Sequence, residues 1–571
     1  MKSSSSTVFI PHFWWWSWLV VIVIALMIRL PMFGQVPAGL NRDEAALGYN
    51  AYSILKSGHD EYGKYFPVSI TSFGDQKLPG YVYTLIPFVQ LFDLSPVTVR
   101  LPSLLSGLVV ITMIGLLTLL QTKTIFSEKQ AVLVSSVAML FIAISPWGNH
   151  FSRTAYEAHL AMACFVSGFF FYNLAFTKEF LHKQRLLLIL AGILWSATLL
   201  TYHSYHIFTP LFIFGVLILD WKRIVKADRV GIIASVGIGL ATVVLLFAGG
   251  VWSANLRKSG DISPFHKQSL QAQASSFRHY LSGDTILDKV YANPLTEGTV
   301  RFSQNLVQVM AGSFMFVSGT DHGDHNPGNI PNFHLLIAPF LIIGLLTLWD
   351  HRRKKTAQLF LLWLVVALVP SSLTITPQHT VRFSPAFPVI ELIAAIGLLR
   401  LFGKLSGKTT QRIFIGAMTY LLILSASRQM LQYLFVIPPL ASPNATYPAL
   451  AKAIAQYESQ GFQVVTQSPT SSPYIWYLFE TKYNPDKYLT DVVRYPVDEG
   501  GFQHVHQVGN VWFESIQWGE LDERAKAGPL ILIFKPTEIP GDHRESPNMK
   551  FIDVIKDDYD TVKYEIWKLS N

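Results

Sequence analysis

The fold is decided first by residues 13–33, FWWWSWLVVIVIALMIRLPMF. This run is apolar, and four of its first six residues are tryptophans. As an α-helix, such a run rises about 1.5 Å per residue and reaches roughly 30 Å, the thickness of the hydrocarbon core of a bilayer. Tryptophans gathered at one end of an apolar helix are typical of the membrane–water interface. No small-residue cleavage site follows the run, so we interpret it as a membrane anchor rather than a signal peptide.

The rest of the chain repeats this pattern. About ten further apolar runs of comparable length follow, at 101–120, 131–147, 158–177, 186–202, 205–219, 230–252, 333–349, 357–375, 385–402 and 413–437. Only 14% of the 571 residues are charged and 50% are apolar, whereas soluble proteins carry about 25% charged residues. This composition excludes a chain of soluble domains. We predict a mainly α-helical membrane protein with about eleven transmembrane helices and additional interfacial helices.

The cysteine content and the net charge argue against further classes of protein. The single cysteine, Cys164, excludes a disulfide framework and a cysteine-based metal site. The net charge is +8, but the basic residues lie in short loops between the apolar runs, which argues against a nucleic-acid partner.

The basic residues also predict the topology. With the N-terminus in the cytoplasm, the inner segments contain Lys2, Lys123, Lys129, Lys178, Lys183, Arg185, Lys222, Arg223, Lys226, Arg229, Arg352, Arg353, Lys354, Lys355, Lys404, Lys408 and Arg412. The short outer loops hold only Arg153 and Arg382, so the chain follows the positive-inside rule for a protein of the cell membrane. The run Leu78–Phe92 is too short to cross and contains two prolines. We expect it to lie in the interface or to form a broken re-entrant segment.

Three large segments then lie outside: Gly34–Lys77, Ser253–Asn332 and the tail from Pro438. We predict a transmembrane domain over 1–437, which includes outer loops 34–100 and 253–332, and a small extracytoplasmic α/β domain over 438–571. In the tail, hydrophobic periodicity predicts a helix over Ala449–Ser459, strands over Phe462–Thr466, Pro529–Phe534 and Tyr564–Leu569, and an apolar turn or helix over Tyr474–Phe479.

The first outer loop contains two acidic residues at the start of a predicted amphipathic helix. Leu47, Ala51, Ile54 and Leu55 recur at helical spacing, and Gly58 is placed to end the helix.

Asn41 and Glu44 have the spacing of a capping box, which gives Glu44 a structural explanation beside a catalytic one. Asp43 is not needed for that cap. A carboxylate at the membrane surface and at a helix start can be a general base, so Asp43 is the stronger catalytic candidate.

A further acidic candidate is Glu157, where the third predicted span turns into the fourth. Acidic residues at the head of an apolar helix are costly to place and often functional. The alternative is a structural ion pair with Arg153, four residues earlier.

These elements resemble a known family. The run Arg42-Asp43-Glu44 after one span, the run Gln76-Lys77-Leu78-Pro79-Gly80-Tyr81 before a short interfacial run, and an acidic residue after the third span are similar to the GT-C glycosyltransferases. The resemblance is to the group of protein O-mannosyltransferases and aminoarabinose transferases. It covers the order of elements over about 1–220, and beyond that the architecture alone.

The resemblance implies a function and a set of roles. The family uses a polyprenyl-phosphate sugar as donor, so we expect an inverting transfer of a sugar to a hydroxyl acceptor, on protein, lipid or glycan, at the extracytoplasmic face. By matching positions, Asp43 is expected to be the base, Lys77 the partner of the donor phosphate and Glu157 the second acid. Several relatives have aspartate at that second position, so the carboxylate of Glu157 extends one carbon further than theirs.

Further residues complete the predicted site. Arg382, His203 and Arg29 fall near the outer face and are candidates to bind the donor phosphate, although Arg29 can also snorkel to lipid headgroups and His203 can be an interfacial polar residue. The candidates for substrate binding are Tyr81, Arg153, Asp321, His322, Asp324 and His325. No metal is required where a cation already balances a monophosphate, but the loop 321–325 could hold a divalent cation or form a polar turn.

Two charges inside late predicted spans, Glu391 and Arg428, lie at equal depth on neighbouring antiparallel helices. We predict that they form a structural ion pair, because a lone charge in a bilayer costs several kcal/mol. The alternatives to an enzyme are a transporter or lipid flippase, for which the sequence offers no internal repeat, and a scaffold that presents the outer tail to partners. The sugar and the acceptor stay open.

Overall fold

The computed structural model describes residues 12–251, 263, 265, 267–281, 285–320, 325–326, 330–436, 443–467, 472–558 and 560–570. The chain divides into two compact units. The helical unit comprises Met1–Pro31 and Ser103–Tyr433, and the mixed unit comprises Met32–Pro102 and Leu434–Asn571.

The described residues of the helical unit are mainly helical. Its α-helices are His12–Arg29, the part of Pro96–Thr122 from Ser103 onward, Glu128–Ile144, Pro146–Ser152, Glu157–Leu174, Gln184–Leu199, Tyr205–Ile224, Arg229–Ala248, Lys267–Leu281, Ile286–Tyr291, Pro294–Val309, Gly312–Phe316, Ala338–Asp350, Lys355–Ser372, Thr380–Phe383, Phe387–Phe402 and Lys408–Leu431. Short 3-10 segments are Lys178–Lys183, Leu335–Ile337 and Ser384–Ala386, and a π-helical turn is Gln432–Val436.

Among the described residues, five helices are long and apolar enough to cross a membrane: Pro96–Thr122, Arg229–Ala248, Lys355–Ser372, Thr380–Phe402 and Lys408–Val436. Two bent pairs, Glu128–Ile144 with Pro146–Ser152 and Glu157–Leu174 with Lys178–Leu199, raise the number to seven if each pair is one span. Shorter apolar helices include Trp15–Arg29 and Gly80–Phe92. The mainly helical membrane architecture is confirmed, and the count of eleven spans stays a prediction.

Two glycines bring the helices Ala338–Asp350 and Phe387–Phe402 together. A Cβ at Gly344 would lie 1.9 Å from the carbonyl oxygen of Ile393, and a Cβ at Gly397 would lie 1.9 Å from that of Phe340. Any larger side chain would therefore collide with backbone. Small residues allow membrane helices to approach this closely, and the packing across the contact holds the pair together.

The prediction that Glu391 and Arg428 form an ion pair is wrong. Glu391 is buried, with Arg29, Ser145 and Trp147 as its polar neighbours. Arg428 is exposed on the helix Lys408–Leu431, which buries no side chain. Equal depth along two helices does not fix the direction in which each side chain points, and here the acidic residue points into the helix bundle.

The mixed unit is built on a seven-stranded sheet. Its strands are β3 (Gln463–Thr466), β4 (Val492–Arg494), β5 (Val505–Val508), β6 (Val511–Phe513), β7 (Leu530–Phe534), β8 (Met549–Lys556) and β9 (Val562–Leu569), in the order β4-β5-β6-β3-β7-β9-β8. Strand β3 runs parallel to β6 and β7, and the other pairs are antiparallel. A separate hairpin joins β1 (Ile70–Ser72) to β2 (Asp75–Lys77).

The helices of the mixed unit are Arg42–Ser57, Gly80–Phe92, the start of Pro96–Thr122, Tyr447–Ser459, Tyr474–Thr481, Pro485–Asp491, Trp518–Ala527 and Gly541–Arg544, with a 3-10 segment at Pro443–Thr446. The helix and the three strands predicted in the tail are confirmed, and the apolar segment from Tyr474 is a helix. Strands β4, β5, β6 and β8 were not predicted. Two of them have only three residues, which is too short for a periodic signal.

Met32–Pro102 belongs to the same unit as the tail, which differs from the predicted boundary at residue 437. The hydroxyl of Tyr49 donates to the carbonyl of Tyr483 at 3.1 Å. The indole N–H of Trp476 donates to the carbonyl of Leu40 at 2.8 Å, and its ring stacks on Tyr447. The segment that contains Asp43 and Lys77 is therefore held by residues near the end of the chain.

Glu61 lies fully buried in this unit, where the guanidinium of Arg494 donates to its carbonyl oxygen at 2.7 Å. The pKa of the Glu61 carboxyl is raised to about 7 from an ordinary value of 4.5, chiefly because the group is buried. The charge of Arg494 opposes this rise, and the neighbouring Asp60 adds to it. Burial also raises the pKa of Asp60, so both carboxyls act in the same direction.

We expect the mixed unit to lose stability as the pH rises. The folded state holds the Glu61 proton more tightly than the unfolded chain, so this contribution is complete below about pH 4.5 and is lost as the pH passes 7. The loss amounts to roughly 3 kcal/mol. The measurement is the unfolding temperature in detergent between pH 4.5 and 8, with Glu61→Gln as the variant that cannot titrate. An equal pH slope in the two proteins would contradict the assignment.

Candidate functional site

The helix Arg42–Ser57 begins and ends at the residues that the sequence predicted. The side chain of Asn41 accepts from the N–H of Glu44 at 2.8 Å, and the carboxylate of Glu44 accepts from the N–H of Asn41 at 3.1 Å, which confirms the capping box. Gly58 ends the helix with a left-handed φ of 76°. Because these caps fix the first turn, Asp43 is presented at the positive end of the helix dipole.

The hairpin supplies the second group. Phe73 and Gly74 connect its strands with φ values of 56° and 75°, the pair of positive values that a tight two-residue β-turn requires. Lys77 then pairs with Ile70 at the open end of the hairpin. Phe73 accepts this conformation while its ring is buried, which places an aromatic face beneath the turn.

Asp43 and Lys77 form an ion pair, with 2.7 Å between the Lys77 Nζ and an Asp43 carboxylate oxygen. The side chain of Asp43 is 52% exposed and that of Lys77 is 12% exposed. The guanidinium of Arg42 lies 4.8 Å from the centre of the Phe73 ring, and the Lys77 Nζ lies 6.0 Å from it. The arrangement offers a half-exposed carboxylate paired with the Lys77 ammonium, and both cations lie near the Phe73 ring.

Such an arrangement can perform two chemical tasks. An exposed carboxylate can take a proton from a hydroxyl group brought to it. Fixed cations at a helix N-terminus stabilise a phosphate group, most of all when its negative charge increases during a reaction. The structure brings Asp43 and Lys77 together, and their roles as base and phosphate partner stay predictions.

Glu44 does not share this exposure. Its carboxylate is buried and accepts from Arg100 twice, at 3.0 Å and 3.1 Å. Arg100 is fully buried as well and also donates to the carbonyls of Gly34, Pro37 and Gly39. In place of the catalytic role considered from the sequence, the structure gives Glu44 a structural role that fixes the chain entering the helix.

Glu157 belongs to the helical unit, where it is the first residue of the helix Glu157–Leu174 and is half-buried. Just before it, Arg153 is fully buried and donates to the carbonyls of Arg29 and Pro31, each at 2.7 Å. This places Arg153 in the packing of the bundle rather than on a substrate surface. That Glu157 shares a cavity with Asp43 stays a prediction.

Histidine and tyrosine side chains cluster beside Glu157, and of these the sequence analysis selected His325 alone. The hydroxyl of Tyr433 lies 2.8 Å from Nδ1 of His150, and that of Tyr156 lies 3.3 Å from Nε2 of the same ring. His325 continues the series, with its ring centre 5.5 Å from that of Tyr156 and 4.7 Å from that of His379. Apart from His150 and Tyr156, these residues are far apart in sequence, so no local pattern could have revealed the whole cluster.

The other predicted site residues differ in how deeply they are buried. Arg29 is fully buried and donates to the Ser152 hydroxyl and to the carbonyls of Ala143, Ile142 and Ala25, so it joins helices together. Tyr81 is fully buried, and its hydroxyl donates to the carbonyl of Val99. His203 is exposed, and Arg382 is half-buried and donates to the Thr376 hydroxyl at 3.1 Å. Asp321, His322 and Asp324 lie outside the described residues.

Whether the protein needs a metal ion stays a prediction. Within the described ranges, no group of three or more His, Cys, Asp or Glu side chains could hold a metal ion. At Asp43, the ammonium of Lys77 already occupies one carboxylate oxygen. The cation considered for the loop 321–325 falls mostly on residues that the structure does not describe.

Comparison with solved structures identifies the fold. No family model and no curated protein sequence matches the chain. ArnT from Cupriavidus metallidurans is similar with a TM-score of 0.50 and 12% identity over 96% of this chain and 97% of that chain in the apo state. In its complex with undecaprenyl phosphate, the TM-score is again 0.50, with 13% identity over 98% of each chain.

A second protein shares the architecture over a smaller part of its length. The apo oligosaccharyltransferase of Archaeoglobus fulgidus matches with a TM-score of 0.50 and 14% identity over 82% of this chain. The match spans 64% of that protein. The chain has the fold of the GT-C glycosyltransferases, with a helical membrane region and a small sheet-containing region toward the C-terminus.

Proposed function

We propose that this protein is a membrane glycosyltransferase that moves a sugar from a polyprenyl phosphate to a hydroxyl acceptor at the extracytoplasmic face. The observation that carries the proposal is the exposed carboxylate of Asp43 held 2.7 Å from the ammonium of Lys77. The fold supports it, because this architecture is that of GT-C glycosyltransferases.

The reaction uses the pair in two ways. Asp43 accepts the proton of the acceptor hydroxyl while that oxygen forms a bond to the anomeric carbon of the sugar. The bond between that carbon and the phosphate oxygen breaks, and the polyprenyl phosphate leaves with one additional negative charge. Lys77 stabilises that charge. A single displacement from the face opposite the leaving group inverts the anomeric configuration.

Three residues besides Asp43 and Lys77 have proposed roles in the reaction. Glu157 remains the proposed second acid, and Arg382 and His203 remain proposed contacts of the donor phosphate. The ammonium of Lys77 supplies the positive charge that a metal ion would otherwise bring, so we propose that no metal is required. Glu44, Arg29, Tyr81 and Arg153 are left out, because their polar groups hold the protein together.

We expect Lys77→Ala to weaken binding of undecaprenyl phosphate about tenfold or more, since a fixed cation beside a phosphate contributes roughly 1.5–3 kcal/mol. Binding can be measured on purified protein in detergent. Lys482→Ala is the matched control, because Lys482 forms an ion pair with Asp93 in the same unit. Equal affinity of Lys77→Ala and the wild type would remove Lys77 from the site.

The transfer reaction itself can be tested on the whole protein. Purified protein receives synthetic polyprenyl monophosphates of mannose, glucose and aminoarabinose, and release of the free polyprenyl phosphate is followed over time. Glu157→Gln in the same assay tests the second acid through a fall in turnover. Movement of the lipid across vesicle membranes without sugar release would favour a flippase and overturn the proposal.

A further inference from the structure

The helix that contains Asp43 and the hairpin that contains Lys77 are joined below their surface by one amide. Asn50 lies two helical turns after Asp43, on the same face, and is fully buried. Its side-chain N–H groups donate to the hydroxyl of Ser72 at 3.0 Å and to the carboxyl of Glu61 at 3.3 Å. Its side-chain oxygen accepts from the N–H of Glu61 at 3.0 Å.

Ser72 connects Asn50 to the hairpin turn. It is the last residue of β1, directly before the turn at Phe73 and Gly74, and it pairs with Asp75. A shift of Asn50 relative to Ser72 would therefore move the turn against the helix. Because Lys77 follows on the second strand of the same hairpin, that shift would change its distance from Asp43.

The C-terminal part of the mixed unit reaches the same point through Tyr474. The hydroxyl of this fully buried residue donates to the carboxyl of Glu61 at 3.1 Å. Its ring centre lies 5.9 Å from that of Phe73, in an edge-on contact. Tyr474 thus contacts both the acid that is bound to Asn50 and the ring that supports the cations of the site.

We infer that Tyr474, Glu61, Asn50 and Ser72 form a positioning chain that sets the separation of Asp43 and Lys77. The inference rests on the proposed function. Its members do not contact the reacting atoms. They hold the side chains of Asp43 and Lys77 at a fixed separation. Through Tyr474, the C-terminal segment contributes to this positioning. A misplacement of about 1 Å in such a pair can lower turnover by a factor of about 100.

The first test removes one hydroxyl. Tyr474→Phe should lower kcat for sugar transfer about tenfold or more and leave the unfolding temperature close to that of the wild type. Tyr477→Phe is the matched control, because Tyr477 lies on the same helix and donates to Glu458 instead of Glu61. Equal kcat in the two variants would overturn the inference.

A double-mutant cycle shows whether the effect passes through the ion pair. In a Lys77→Ala background no ammonium remains to be positioned, so Tyr474→Phe should change kcat less than about twofold further. Multiplicative losses would mean that Tyr474 acts elsewhere and would overturn the inference.

Amide hydrogen exchange gives a readout that does not depend on activity. Tyr474→Phe should speed exchange across residues 70–77 relative to Tyr477→Phe, because the hairpin loses an attachment. Unchanged exchange would overturn the positioning chain even if sugar transfer is confirmed. Full activity of an Asp43→Asn variant would instead overturn the proposed function, and the exchange result would still decide whether Tyr474 fastens the hairpin.

Discussion

Asp43→Asn should abolish sugar transfer, with a fall in kcat of about 1,000-fold, while the protein remains folded. General-base catalysis by a positioned carboxylate contributes roughly 100- to 10,000-fold, and an amide cannot accept the proton. Because the side chain of Asp43 is 52% exposed, its replacement leaves no buried gap. The measurement is the initial rate of polyprenyl phosphate release from the sugar donor, together with the unfolding temperature of the purified variant.

Asp93→Asn provides the comparison for this substitution. Asp93 is an exposed aspartate of the same unit that forms an ion pair with Lys482, so the change alters charge and surface in the same way. It should leave transfer at the level of the wild type. If Asp43→Asn and Asp93→Asn have the same rate, Asp43 is not the base.

Glu44→Gln should destabilise the mixed unit by about 3–5 kcal/mol, a large part of the free energy of unfolding of a domain. The substitution leaves the buried guanidinium of Arg100 without its carboxylate. Two charge-assisted hydrogen bonds, at 3.0 Å and 3.1 Å, are lost or weakened at the same time. The carbonyls of Gly34, Pro37 and Gly39 cannot balance a full positive charge away from water.

The loss should appear as a lower unfolding temperature and a lower yield of folded protein in detergent. Arg100→Met in the Glu44→Gln background is the informative second variant, because it removes the unbalanced charge and should recover part of the stability. A stable, fully active Glu44→Gln single variant would show that the buried pair is dispensable.

Sequence reasoning succeeded where the signal was local. The start and end of the helix Arg42–Ser57 follow from Asn41, Glu44 and Gly58, all within one short stretch, and the structure has the same caps. The pairing of Asp43 with Lys77 came from resemblance to a family, and the geometry supports it. Hydrophobic periodicity likewise located β3 and β7, since both are buried and rich in aliphatic residues.

The failures concern contacts between distant residues. Arg100, Asn50 and Tyr474 lie in apolar or mixed stretches with nothing to mark their partners, which are 56, 22 and 413 residues away along the chain. Glu391 was assigned to a partner by depth alone, whereas rotation about the helix axis decides which neighbour a side chain meets. A single sequence contains no information on that rotation.

The contacts between residues 32–102 and the tail have a consequence for the synthesis of the protein. Tyr49 meets its partner Tyr483 only after 434 further residues have been added. At roughly 5–20 residues per second, the ribosome needs tens of seconds for that length. During this time the segment around Asp43 lacks its contacts with the tail. A nascent chain that stops before residue 474 therefore lacks both Tyr474 and Tyr483, so Tyr49, Glu61 and Phe73 gain these contacts only late in translation.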